Sequence, residues 1–169
     1  MGRPGAQAGF SMLESLVAML LIALWMLATA GVQLSTFKFQ KSAGNRYLAV
    51  ALAGELAELI DANRAGANAG GYALVATGTA IPIGIDCAAV ACSPTELAAY
   101  DLAAWTARVQ ATLPLEQVSV TAGVGPGGLV SYTIDVSWNE PRGRQTYGTA
   151  GTTETLRYVL ATVVRSAGA

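Results

Sequence analysis

Polar and apolar positions fall into three regimes along the chain. The first is an apolar run over residues 9–34, within which no polar side chain occurs from Leu16 to Ala28. A bilayer-crossing helix needs roughly 20 apolar residues, so this run predicts a spanning helix. From residue 35 to 64 the pattern becomes amphipathic. Leu48, Leu52, Leu56, Leu59 and Ile60 recur at helical spacing, Glu55, Glu58, Asp61 and Arg64 supply a polar exterior, and no Pro interrupts. Together these regimes predict one helix from about Ser11 to Arg64, ~80 Å long at 1.5 Å per residue. Gly31, Gly44 and Gly54 weaken it by up to about 1 kcal/mol each relative to Ala. The Ala-Gly-rich residues 65–71 end it, with Gly66 as the expected C-terminal stop.

Residues 70–92 read as loop, with one short strand expected at Ala80 to Ile85. Ser93-Pro94-Thr95-Glu96 is a helix start: Ser93 can cap, Pro94 suits the first helical position, and Glu96 completes a capping box. Ala98, Leu102, Trp105, Val109 and Leu113 then form a helical stripe closed by Pro114, and Trp105 within it reads as core. In the third regime, from Gln117, the period changes to two. Val118 and Val120 alternate with polar neighbours, and residues 123–128 turn the chain. Val130, Tyr132, Ile134, Val136 and Trp138 then share one face of a strand over residues 129–138. Residues 139–151 are polar and Gly-containing, with Pro141, Arg142, Gly143 and Arg144 at the tip. Thr155 to Arg165 is apolar on both faces, which predicts a central strand. The expected fold is α+β: a long N-terminal helix, half membrane-spanning and half amphipathic, packed on an antiparallel sheet of three or four strands.

Composition narrows the function. At 169 residues the chain is long enough for one domain plus an anchor. Charged residues make up only 12%, in keeping with a partly membrane-embedded chain. A net charge of -1 supplies no field to attract nucleic acid. There is no histidine, which excludes enzymes with a His base, and two cysteines cannot build a His/Cys metal cluster. No metal, cofactor or active site is expected. Cys87 and Cys92, with four residues between them, can form a tight disulfide or remain two thiols, and their spacing excludes a redox C-x-x-C motif. An oxidising compartment favours the disulfide. Gly123, Gly125 and Gly128 satisfy G-x-G-x-x-G, but a strand follows them where a dinucleotide site needs a helix. Ser35-Thr36-Phe37-Lys38 satisfies the S-x-x-K of serine acylases without the Lys-Thr-Gly partner that chemistry requires.

Glu14 stands apart. It lies just inside the apolar run, where a carboxylate is costly and marks function. Gly9-Phe10-Ser11-Met12-Leu13-Glu14 resembles the class III signal of type IV prepilins. That resemblance implies cleavage by a prepilin peptidase between Gly9 and Phe10 and N-methylation of Phe10. It makes Glu14 the fifth mature residue, which pairs with the N-terminal amine of an adjacent subunit and sets assembly register. The implied division is a leader at 1–9, a transmembrane and assembly helix at 10–34, and a periplasmic pilin head at 35–169. Many pilins carry Pro at the position aligned with Gly31, which this chain lacks.

A looser resemblance spans most of the remaining chain. Glu58 to Tyr72, Cys87, Cys92-Ser93-Pro94, Leu97 to Leu102, Trp105, Leu113-Pro114 and Tyr132 to Asn139 together resemble the PilV-type minor pilins, or type IV pilus modification proteins. The implied protein is a non-enzymatic, low-copy subunit at or near the pilus tip that primes or modifies assembly. Its implied partners are other minor and major pilins, the prepilin peptidase, the inner-membrane assembly platform and a tip adhesin. Its implied localisation is the inner membrane, single-pass with a periplasmic C-terminal domain, and then the fibre. Positive charge by itself argues for the reverse orientation, since Arg3 alone precedes the span while Lys38, Lys41 and Arg46 follow it. Three other readings compete. A minor pseudopilin of a type II secretion system shares the leader, helix and sheet. A signal-anchored periplasmic binding or enzyme domain would keep its N-terminus and place a pocket in the head. A secreted protein would be cut after Ala28-Thr29-Ala30.

Overall fold

The computed structural model describes residues 11–125, 127, 129–141 and 153–164. The chain divides into two compact units, Met1–Lys41 and Ser42–Ala169. Helix α1 runs from Met12–Ala62 and is shared by both. It is followed by α2 (Arg64–Asn68), β1 (Leu74–Thr77), α3 (Pro94–Thr112), β2 (Leu115–Val124), β3 (Val130–Pro141) and β4 (Thr153–Val163). The strands form one antiparallel meander in the order β1-β2-β3-β4.

In the second unit the amphipathic part of α1 buries Ala49, Leu52, Ala53, Leu56 and Ile60, while Leu48 and Leu59 pack at the margin. Helix α3 adds Ala98, Leu102, Trp105, Val109 and Leu113, the full expected stripe. The sheet closes the core with Val118 and Val120 from β2 and Tyr132, Ile134, Val136 and Trp138 from β3. Trp105 is fully buried, and its indole N–H donates 2.8 Å to the Leu52 carbonyl, tying α3 to α1. A buried indole N–H needs such a partner. The capping box at α3 is complete, with Ser93 and Glu96 each satisfying the other's backbone amide.

The structure corrects three expectations. First, α1 stops at Ala62, not Arg64, and Gly66 is no stop: it lies inside α2, which Asn63 caps by accepting the Gly66 amide at 3.1 Å. Gly66 is there because a Cβ would sit 2.4 Å from the Pro94 carbonyl oxygen. The positive-φ turn comes later, at Gly70 (φ 78°). Second, the strand expected at Ala80 to Ile85 is absent, and β1 lies at Leu74–Thr77 instead. The amides of Ala80 and Ile81 donate to the Gln110 and Thr106 side chains of α3. Pro82 has no amide to continue a ladder. Third, the strand expected to be central, β4, lies at the edge. Its Leu156, Tyr158 and Leu160 pack on the core, but Val159, Ala161 and Val163 are exposed.

β2 and β3 pair as a hairpin, with Gly127 between them at φ 71° and the Gly125 amide donating 2.7 Å to the Leu129 carbonyl. A phosphate-binding helix therefore does not follow these glycines.

Candidate functional site

Two regions carry features that packing alone does not require: the start of α1 and the polar ties that hold the head together. At the first, Glu14 occupies the opening turn of α1, and its amide donates 3.0 Å to the Ser11 carbonyl. A carboxylate there interacts favourably with the partial positive charge of the helix N-terminus, by about 0.3–1 kcal/mol. Val17, Ala18 and Leu21 follow at i+3, i+4 and i+7 and, with Ser11 and Glu14, line a shallow open groove along the helix. The acid therefore heads an apolar stripe.

Beyond Glu14, Leu13, Leu16, Met19, Leu20, Trp25 and Leu27 are all more than half exposed. Apolar surface on this scale in one helix is unstable in water and calls for lipid or other helices around it. Helix α1 contains a segment long and apolar enough to cross a membrane. The hydroxyls of Thr29 and Thr36 donate to the Met26 and Val32 carbonyls, at 2.9 and 3.1 Å. Satisfying polar hydrogens within the helix is the requirement that hydrocarbon imposes. Gly9 and Phe10 lie outside the described residues, as do Arg142, Gly143, Arg144 and Tyr147. Thr36 and Lys38 of the S-x-x-K motif sit mid-helix.

In the second unit, Cys87 and Cys92 form a disulfide, which staples the loop between β1 and α3. The sequence reading did not foresee two polar ties. Tyr72 is fully buried, and its hydroxyl lies 2.6 Å from the Asp101 carboxylate and 3.2 Å from the Leu59 carbonyl. Burial, with the Asp101 carboxylate added, pushes the Tyr72 phenol well above its ordinary pKa. Tyr132 meets it edge-on at 6.3 Å and donates 2.6 Å to the Ala67 carbonyl. The second tie is Glu140 at the end of β3, which accepts from the Trp138 indole at 2.8 Å and from Asn45 of α1 at 3.3 Å. Burial alone pushes the Glu140 carboxyl up. Hydrogen bonds involving Ser42, Trp138 and Asn45, with the charge of Arg46, outweigh it and hold the carboxyl below its ordinary range. One signal for this tie was present: Asn45 continues the stripe Ala49, Leu52, Leu56, Ile60 as its single polar member, and such a residue needs a partner. Among the described residues no group of three or more His, Cys, Asp or Glu side chains could hold a metal ion.

Residues 5–30 match the model of the prokaryotic N-terminal methylation motif, and residues 31–103 match the model of type IV pilin Tt1218. The chain is similar to type IV pilins. The first match takes in Gly9, Phe10, Glu14 and most of the apolar run. The second takes in the rest of α1, α2, the disulfide loop and α3 as far as Ala103, including Tyr72 and Asp101. No match was found among the curated proteins or the solved structures. Pilins are structural rather than enzymatic, and the apolar helix with the methylation motif supports membrane anchoring.

Proposed function

We propose that the chain is a non-enzymatic minor pilin of the PilV type that primes or modifies type IV pilus assembly. The observation that carries this reading is Glu14: one carboxylate in the first turn of a helix whose next residues are apolar and exposed, inside a methylation-motif match. A membrane anchor alone has no use for that acid.

In this reading the prepilin peptidase cuts between Gly9 and Phe10, and Phe10 is N-methylated. Residues 10–34 hold the subunit in the inner membrane, with the head periplasmic. On extraction the same helix packs among neighbouring pilin helices, because burial of its apolar surface remains favourable outside lipid. Glu14 pairs with the N-terminal amine of a neighbour. An unpaired buried carboxylate costs several kcal/mol, so the pair selects one axial register. The head supplies contacts to other minor pilins or a tip adhesin at low copy number, and the net charge of -1 argues against nucleic acid as a partner. The type IV pilin match favours the pilus over a type II secretion pseudopilin.

The test is N-terminal mass spectrometry of the membrane-extracted protein, with Glu14→Ala alongside. The expected wild-type chain begins at N-methylated Phe10, and the variant is depleted from the fibre. A chain beginning at Met1, or after Ala30, ends the assembly mechanism.

A further inference from the structure

The sheet has two edges, and they are built differently. β1 is four residues long, and its pairing with β2 shifts register between Leu74 and Thr77. Shortness and irregularity are the devices by which proteins blunt an edge. β4 has neither. It is eleven residues long and pairs with β3 in unbroken register from Ser131↔Val163 to Pro141↔Thr153. It contains no Pro and no Lys. Among the described residues no strand pairs with its outer side.

The direction of its backbone groups follows from one hydrogen bond. The Val164 amide donates 2.9 Å to the Val130 carbonyl, so the pair 130–164 is hydrogen-bonded. In an antiparallel ladder such pairs alternate with non-bonded ones. Residues 158, 160 and 162 therefore point their amides and carbonyls at β3, while 157, 159, 161 and 163 point theirs outward. The same four residues carry side chains on the exposed face. The edge is also electrically quiet. Residues 158–164 contain no charge, and the Arg157 guanidinium is engaged by Asp135 of β3.

We propose that β4 is a strand-addition site, and that its occupant is an extended strand of a second protein, uncharged and alternately apolar. Outward amides and carbonyls at 157, 159, 161 and 163 supply the main-chain bonds. Val159, Ala161 and Val163 on one face, and Leu160 with Thr162 at the margin of the other, supply cross-strand contacts. An uncharged occupant suits residues 158–164, which carry no charge, beside an Arg157 guanidinium that is already paired. Addition gives β4 the second neighbour that a strand apolar on both faces needs. The proposal requires only a partner strand and does not depend on the pilus reading.

The test compares the full-length chain purified alone with the assembly extracted in mild detergent from cells making it at native level. Amide exchange over residues 157–163, read by mass spectrometry, is expected to slow by about tenfold or more in the assembly. Ala161→Pro removes an outward amide and no bond to β3, so the purified variant keeps its unfolding midpoint but leaves the assembly. Val159→Ser changes the side chain alone and remains in it. Equal exchange in both states overturns the proposal, and so does an Ala161→Pro chain that stays assembled. Loss of Val159→Ser as complete as that of Ala161→Pro overturns it in favour of face packing. An assembly made of this chain alone overturns the second-protein occupant in favour of a second copy. The exchange comparison uses wild-type protein, so it decides the matter even for a variant that fails to fold.

Discussion

At the scale of single residues, the head depends on a few positions where one atom matters. Gly66 is the clearest. An added Cβ meets the Pro94 carbonyl at 2.4 Å and the Asn63 amide nitrogen at 2.6 Å, and Asn63 itself donates 2.7 Å to that carbonyl. Gly66→Ala is expected to cost about 2 kcal/mol, read as a lower urea midpoint, because backbone must move to make room. Glu140 makes a pH prediction. Its carboxyl is held below the ordinary range in the folded chain, so its contribution is present above the unfolded-state pKa and is lost as pH falls through the folded one. Unfolding between pH 7 and pH ~3 should show that loss in the wild type, and Glu140→Gln should show a smaller fall, since glutamine does not titrate. Neither role could be read from sequence. A glycine packed against a carbonyl about thirty residues away looks the same in sequence as a helix stop. Glu140 looks like any charge at the end of a strand.

At the scale of elements, spacing carried most of the information. The stripe in α3 and its capping box, the alternating face of β3 and the β2–β3 hairpin all depend on neighbours two to seven positions apart. The stretch between β1 and α3 behaves otherwise. Its backbone is pegged to Thr106 and Gln110 and closed by the disulfide, so it holds its shape without a ladder. Cys87→Ser is expected to cost about 2 kcal/mol by the chain-entropy of so small a loop. Because the loop lies outside the sheet, hydrogen exchange should quicken over residues 78–92 while β2 and β3 keep their protection. Exchange that quickened throughout would instead mean the bridge supports the whole head. The knot around α2 also gives physical content to the Glu58 to Tyr72 motif. Asn63 caps, Gly66 admits Pro94, Gly70 turns, and Tyr72 reaches back to Leu59 and across to Asp101.

At the scale of the molecule, two kinds of surface are asked to satisfy different solvents. The apolar part of α1 has its large side chains exposed, and the head hides its own around α1, α3 and the sheet. Placing Leu21→Arg and Leu24→Arg together in the run is expected to move the chain from the membrane pellet to the alkaline-soluble fraction. Each Arg costs about 3 kcal/mol at a helix centre. Retention in the pellet would mean that something other than this segment anchors it. Sequence alone determined the apolar run, the acid at its start, the two long helices and the alternation of the strands. Each of these is a short-range periodicity or a composition, which chain geometry converts directly into a face. Tertiary structure alone decided where the long helix breaks, which strand lies at the edge, and which carboxylate locks α1 to β3. Those depend on partners 12 to 95 residues apart, brought together only when the sheet closes over the helices, and no local pattern encodes the order in which strands become neighbours.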